Sequence, residues 1–183
     1  DLIKEGILDE NLERFIYDAL PHLKSNRLYV HQEKAIRKIY SGRNVVISSG
    51  TSSGKTECFL LPILSHLLNE YKEGNLNPGV RALLLYPMNA LANDQLRKLR
   101  EIVKKIEEKF GKSVITFGRY VGDTKETRKE AEEQFRLNNP GMKPAKGELL
   151  SREEMREEPP HILITNYAML EYLLLRPYDS SFF

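Results

Sequence analysis

The stretch "VVISSGTSSGKTECFLLPIL", Val45 to Leu64, runs from an apolar segment through a loop of small residues into Gly-Lys-Thr and a second apolar segment. Gly50 and Gly54 let the backbone turn tightly, so that successive N–H groups point inward at an anion. A helix beginning near Gly54 would aim its N-terminal dipole at the same point. Lys55 would reach the outer phosphates as a point charge, and the Thr56 hydroxyl would ligate a divalent cation. The spacing therefore predicts a phosphate-binding loop between a strand (44–49) and a helix. It departs from G-x-x-x-x-G-K-[ST] at its first position, where Ser49 stands for glycine.

Four short apolar runs punctuate the chain: "NVVISS" (44–49), "RALLLYP" (81–87), "SVITFGRYV" (113–121) and "HILITN" (161–166). Each precedes a helix-compatible segment, and this alternation argues for parallel βαβ units. Runs apolar throughout suit strands covered on both faces. Asn89 to Phe110 carries the cleanest helical period, with Ala92, Leu96, Leu99, Val103, Ile106 and Phe110 on one stripe. Upstream, Leu12, Phe15, Ile16 and Leu20 share one helical face that stops at Pro21, and Ala35, Ile36, Ile39 and Tyr40 form another. Between Asp123 and Glu158, 18 of 36 residues are charged. That composition predicts a helix at about 124–137 followed by an exposed loop. Its eight basic residues leave open a contact with a nucleic-acid backbone.

Composition sets outer limits. The chain has 183 residues, 40% apolar and 30% charged, enough for one domain or a little more. A net charge of +2 is too small to argue for nucleic acid by itself. A single cysteine, Cys58, excludes a disulfide framework, and it reads as a small helix-packing residue. The histidines (22, 31, 66 and 161) show no metal-ligand spacing. No apolar run approaches the roughly 18–20 residues of a membrane span, and the first residues do not open a signal peptide. The expectation is a soluble, intracellular protein, cytoplasmic or otherwise, with no membrane partner.

"SGTSSGKT" resembles the variant phosphate loop of superfamily 2 DEAD/DEAH-box helicases, A-x-T-G-x-G-K-T, in which the first position is a small residue. Ser49 takes that place and Thr51 the threonine, while Ser52 replaces an internal glycine. "GKTECFLLPIL" follows the same family's pattern, including Pro62 inside the helix. The resemblance implies ATP and Mg²⁺ as ligands. Ser49, Gly50, Thr51, Ser52, Ser53, Gly54, Lys55 and Thr56 would form the cradle, with Lys55 and Thr56 as the chemically active pair and Thr56 on the metal. "RLYVHQ" is similar to the family's adenine-recognition block. Gln32 would read the base edge, and Tyr29 or Phe15 would stack on the ring.

"YPMNALANDQLRKL" looks like the block that grips a nucleic-acid backbone, through Asn89, Asn93 and Gln95. "YVGDT" adds Gly122 and Asp123, and "ITN" adds Thr165 and Asn166. Polar groups just past strand ends are where open α/β sheets place ligands. The A-L-A-x-D-Q flavour is closer to DNA-directed members, and RNA stays open.

The resemblance implies an α/β, RecA-like P-loop domain with a mostly parallel sheet and helices on both faces. Residues 1–40 would form a helical adenine-recognition segment. Residues 41–183 would form a partial ATP-binding lobe with the charged insertion at about 123–158. The 183 residues end at "RPYDSSFF", before the place where the family's D-E-x-[DH] block and second RecA-like lobe would be expected. The implied function is the ATP- and nucleic-acid-binding fragment of an ATP-dependent DNA helicase or translocase, inactive alone. Single-stranded or duplex DNA and the second lobe would be its partners. A non-catalytic nucleotide-sensing or nucleic-acid-binding module stays open, as does another P-loop NTPase such as a small-molecule kinase.

Overall fold

A computed structural model describes residues 2–12, 28–51, 53–176 and 182. The helix expected before Pro21 falls mostly on residues 13–27, and so lies outside the described residues, as do Phe15 and Ser52. The chain divides into two compact units, Asp1–Leu76 and Asn77–Phe183.

The first unit is helical. Helix α1 spans Val30–Tyr40 and buries Gln32, Ala35 and Ile36. Helix α2 spans Lys55–Lys72 and buries Cys58, Leu60, Leu61, Leu64, Leu67 and Leu68. The two apolar stripes pack together. Pro62 sits inside α2 and denies the Cys58 carbonyl its helical N–H partner. The N-terminal turn is tied to α2 at two points through buried Asp9. The Asp9 backbone N–H donates to Ser65 Oγ at 2.8 Å, and the carboxylate holds Lys72 Nζ at 2.6 Å. Residues 43–50 form no strand. The strand expected at 44–49 is thus corrected: Val46 is 97% exposed, and the run has no ladder partner among the described residues. An extended segment becomes a strand only when a neighbour takes its N–H and C=O groups.

The second unit supplies the sheet. Strand β1 (Ala82–Tyr86) leads to α3 (Asn89–Phe110), then β2 (Phe117–Arg119) and α4 (Arg128–Asn138). Strand β3 (Glu148–Leu149), α5 (Arg152–Glu157), β4 (Ile162–Asn166) and α6 (Tyr167–Leu175) follow. The strands pair in parallel in the order β1-β4-β2-β3. Strand β4 is central, with β1 on one side and β2 on the other, and Ile162 to Ile164 are fully buried. Leu163 packs with Tyr120, Met155 of α5, and Leu173 of α6. Alternation turns Ile162 and Ile164 to the other face, and α3 lies against β4, β1 and β2. Helices therefore cover both faces of the central strand, as expected for an α/β lobe.

The charged insertion is more ordered than its composition implies. Thr127 caps α4 by accepting from Glu130 N, and Ser151 caps α5 by accepting from Glu154 N. The loop between them is not simply exposed: Ala145, Glu148 and Ser151 are buried. Glu148 forms a two-pronged ion pair with Arg100 of α3, both bonds 2.7 Å long. The Glu107 carboxylate accepts from Lys146 N and Gly147 N at 3.0 and 2.7 Å. Gly147 is required there, since a Cβ would collide with the Ile115 carbonyl.

Candidate nucleotide and nucleic-acid sites

Ser49 and Gly50 fold over Lys55. Lys55 Nζ donates to the Ser49 and Gly50 carbonyls at 2.9 and 2.5 Å, and the Ser49 and Ser53 hydroxyls share a 2.6 Å hydrogen bond. Gly54 starts α2 in the left-handed region, φ 76°, where a side chain would also strike Gln32 Nε2. Glycine is thus demanded twice at this position. Thr51 is exposed, and Thr56 is partly exposed on the first turn of α2. A cationic amine inside a loop of small residues, at the start of an 18-residue helix, is a donor set that fits a polyphosphate. The same first turn offers the Thr56 hydroxyl to a divalent cation.

Gln32 is buried against this loop. Its Nε2 donates to the Gly54 carbonyl at 2.9 Å, and its Oε1 accepts from Tyr29 N at 2.8 Å. Its amide therefore braces the loop against the start of α1, a partnership across 22 residues that sequence reasoning missed. Tyr29 is half exposed and stacks on His31, with ring centroids 5.6 Å apart. Cys58 is fully buried one turn into α2, and burial pushes its thiol pKa up, consistent with a packing role.

In the second unit, the pairing of β1 with β4 sets Tyr86 beside Asn166. Asn166 Nδ2 donates to Asn89 Oδ1 at 3.0 Å, which joins the residues at the ends of two adjacent strands. The Asn166 side chain also caps α6, accepting from Met169 N at 2.8 Å. Asn89 does not cap its own helix: Met88 holds that position, with no side-chain bond. Asn93 and Gln95 are partly exposed in the first turns of α3. Burial raises the Tyr86 phenol pKa to about 12, so it stays neutral beside this row.

Thr165 departs from expectation. It is fully buried, and its hydroxyl donates to the Tyr120 carbonyl at 2.5 Å. The group expected to meet a backbone phosphate is turned inward and ties β4 to the loop after β2. That loop, Tyr120 to Thr124, is held from a second direction. Arg152 Nη2 donates to the Val121 and Gly122 carbonyls, both at 3.1 Å, with its guanidinium over the Tyr120 ring. Gly122 is exposed, and a Cβ there would meet nothing within 4 Å. Asp123 is exposed and pairs with Arg119 at 3.0 Å. Arg152 was the missed residue here. The S-x-x-E signature at Ser151 marks the helix that carries it.

Among the described residues no helix is long and apolar enough to cross a membrane. Residues 29–142 match the DEAD/DEAH box helicase family model. The chain is 32% identical to the Druantia protein DruE of Escherichia coli, a match covering 86% of this chain and 13% of that protein. It is 34% identical to the ATP-dependent helicase Lhr-Core of Methanothermobacter thermautotrophicus, over 80% of this chain and 15% of the relative. Among solved structures, the helicase MrfA bound to DNA and AMPPNP superposes with a TM-score of 0.62 at 29% identity, over 96% of this chain and 19% of MrfA. The chain thus spans less than a fifth of these relatives.

Proposed function

Since the chain belongs to the DEAD/DEAH box helicase family and forms part of a first RecA-like lobe, we propose that it binds MgATP and the backbone of a DNA strand within an ATP-dependent DNA helicase or translocase. Ser49 to Thr56 hold the phosphates: Lys55 exchanges the Ser49 and Gly50 carbonyls for phosphate oxygens, and the Thr56 hydroxyl faces Mg²⁺. The metal, when bound, offsets negative charge on the outer phosphates. Gln32 fixes the loop through Gly54, and Tyr29 offers an exposed ring to the base. An edge-on reading of adenine by Gln32 requires its amide to exchange the Tyr29 or Gly54 bond for the base.

The strand site consists of Asn89, Asn93, Gln95, Gly122, Asp123 and Asn166, with Thr165 as an internal support. The observation that carries this reading is the Asn89–Asn166 hydrogen bond, which gathers amides from the ends of β1 and β4. Contacts of this kind go to phosphate and sugar, and so are insensitive to base sequence. The DNA bound in the MrfA structure supports DNA as the strand. A second RecA-like lobe is the partner that supplies the remaining half of the strand groove and the charge-stabilising groups for turnover. The 183 residues alone would hydrolyse ATP no faster than background, because phosphoryl transfer depends on positioned charges that a second lobe would supply.

The test uses the full-length protein. Asn89→Ala combined with Asn166→Ser, which keeps a capping hydroxyl for α6, should weaken single-strand affinity about tenfold, as for two lost hydrogen bonds. The loss should be equal across sequences, should blunt DNA-stimulated ATPase, and should leave ATP affinity intact. Unchanged strand affinity with collapsed nucleotide binding would contradict the assignment.

A further inference from the structure

A cleft of about 370 Å³ opens in the second unit, beside the end of β2 and between the first half of α3 and helix α4. Its charged lining falls into two parts. Arg100 and Glu148 are both buried and bound to each other at 2.7 Å, with the Arg100 guanidinium 4.9 Å from the centre of the Phe135 ring. That pair is internally neutral and forms a fixed wall. The other charged lining residues are Arg97, Arg119 and Lys125 against Asp123; with Asp94 3.9 Å from Arg97, the cleft keeps a small positive excess.

Arg119 is the decisive group. Its side chain is 19% exposed, and Nη2 holds Asp123 Oδ1 at 3.0 Å. Its Nη1 is buried and has no hydrogen-bond partner among the described residues. A buried guanidinium N–H without an acceptor is costly, and phosphate oxygens match the guanidinium fork well; because Nη1 is sealed from solvent, the guanidinium must turn toward the cleft to meet one. The cleft is too large for a phosphate alone and lies at the small end of ligand pockets. It accommodates a phosphate with its attached sugar. Asn93, also in the lining, stands one helical turn beyond Asn89 on the same side of α3. A strand held at Asn89 is thereby led to the cleft.

We propose that this cleft is an additional subsite for one backbone phosphate of a nucleic-acid strand, with Arg119 as the contacting residue and the charged insertion as its outer wall. The subsite rests on the strand-binding reading above and extends it from the strand ends to α4. In this arrangement the insertion converts one side of α3 into an enclosed anion site.

The experiment measures binding of a fluorescein-labelled, mixed-sequence single strand to the full-length protein by anisotropy, across a series of salt concentrations. Arg119→Gln should weaken binding about three- to tenfold, equally for a mixed-sequence and a homopyrimidine strand. It should also reduce the slope of log affinity against log salt by about 0.7, the value for one phosphate on a single strand. Arg119→Lys, which keeps the charge, should restore most of the slope. Asn138→Asp adds a negative charge to the lining without touching the Asp123 pair, and it should weaken binding in the same way even if Arg119→Gln misfolds. Wild-type affinity and slope in Arg119→Gln or Asn138→Asp overturn the subsite and leave the strand-end reading standing. No strand binding by the wild type overturns both. Melting in inorganic phosphate against chloride at equal ionic strength separates the two sources of phosphate. Stabilisation that needs Arg119, with an unchanged strand slope, would mark a free-phosphate site and overturn the strand assignment.

Discussion

"NVVISS" at 44–49 and "HILITN" at 161–166 are closely alike in sequence character, yet they have opposite fates. The second is the central strand of the sheet, with β1 on one side, β2 on the other, and Ile162 to Ile164 fully buried. The first has no strand partner among the described residues, and Val46 is 97% exposed. Local composition is therefore a licence to form a strand, while a ladder partner far along the chain decides whether one forms. The same rule reaches β3, whose two residues would never be chosen as a strand by composition. Glu148 is held there by Arg100, 48 residues away.

The contrast can be broken most forcefully at that ion pair. Arg100→Ala leaves the Glu148 carboxylate buried without its partner, and it should cost about 3–5 kcal/mol in urea unfolding. Replacing both, Arg100→Met with Glu148→Leu, should recover most of that loss. Equal losses in the single and double variants would show that the pair does not organise β3. Next in size is a matched pair of truncations in the two apolar runs. Ile164→Ala should cost about 2–5 kcal/mol through the cavity it leaves in the core. Val46→Ala should stay within about 0.5 kcal/mol, as for surface positions. A Val46 loss as large as that at Ile164 would mean residue 46 is buried in a strand after all. A smaller effect is expected at the cap of α5. Ser151→Ala removes the acceptor for Glu154 N and should cost about 1 kcal/mol. Since α5 carries the arginine that holds the Val121 and Gly122 carbonyls, the same change should weaken single-strand binding slightly; an unaltered melting temperature would dismiss the cap.

Much of the fold was legible where its cause is local. The stripe from Ala92 to Phe110 predicts α3 at its observed bounds, and the apolar runs locate β1 and β4 within a residue or two. The run at 113–121 shortens to the Phe117–Arg119 strand, because only those residues have partners in β4. The charged insertion was the hardest to read. One helix was expected at about 124–137, and T-x-x-E and S-x-x-E could have marked the starts of both helices. The insertion's buried Glu148, however, is held by a guanidinium, and its backbone amides at Lys146 and Gly147 by a glutamate of α3, that no local pattern reveals. At the candidate sites, residue type was legible and orientation was not. Thr165 looks like a ligand for phosphate and serves as a buried tie, whereas Gln32, expected to read a base edge, lies against the phosphate loop. Both differences arise from hydrogen bonds between residues more than twenty positions apart.

If Ser49 to Thr56 form a nucleotide site, a thermal or urea unfolding series with MgATP will register it. At a hundredfold excess over Kd, the nucleotide should stabilise the protein by about 2.7 kcal/mol. Lys55→Ala should abolish most of that gain and leave the stability without nucleotide nearly unchanged. A gain of the same size in Lys55→Ala would contradict the account and place the nucleotide elsewhere.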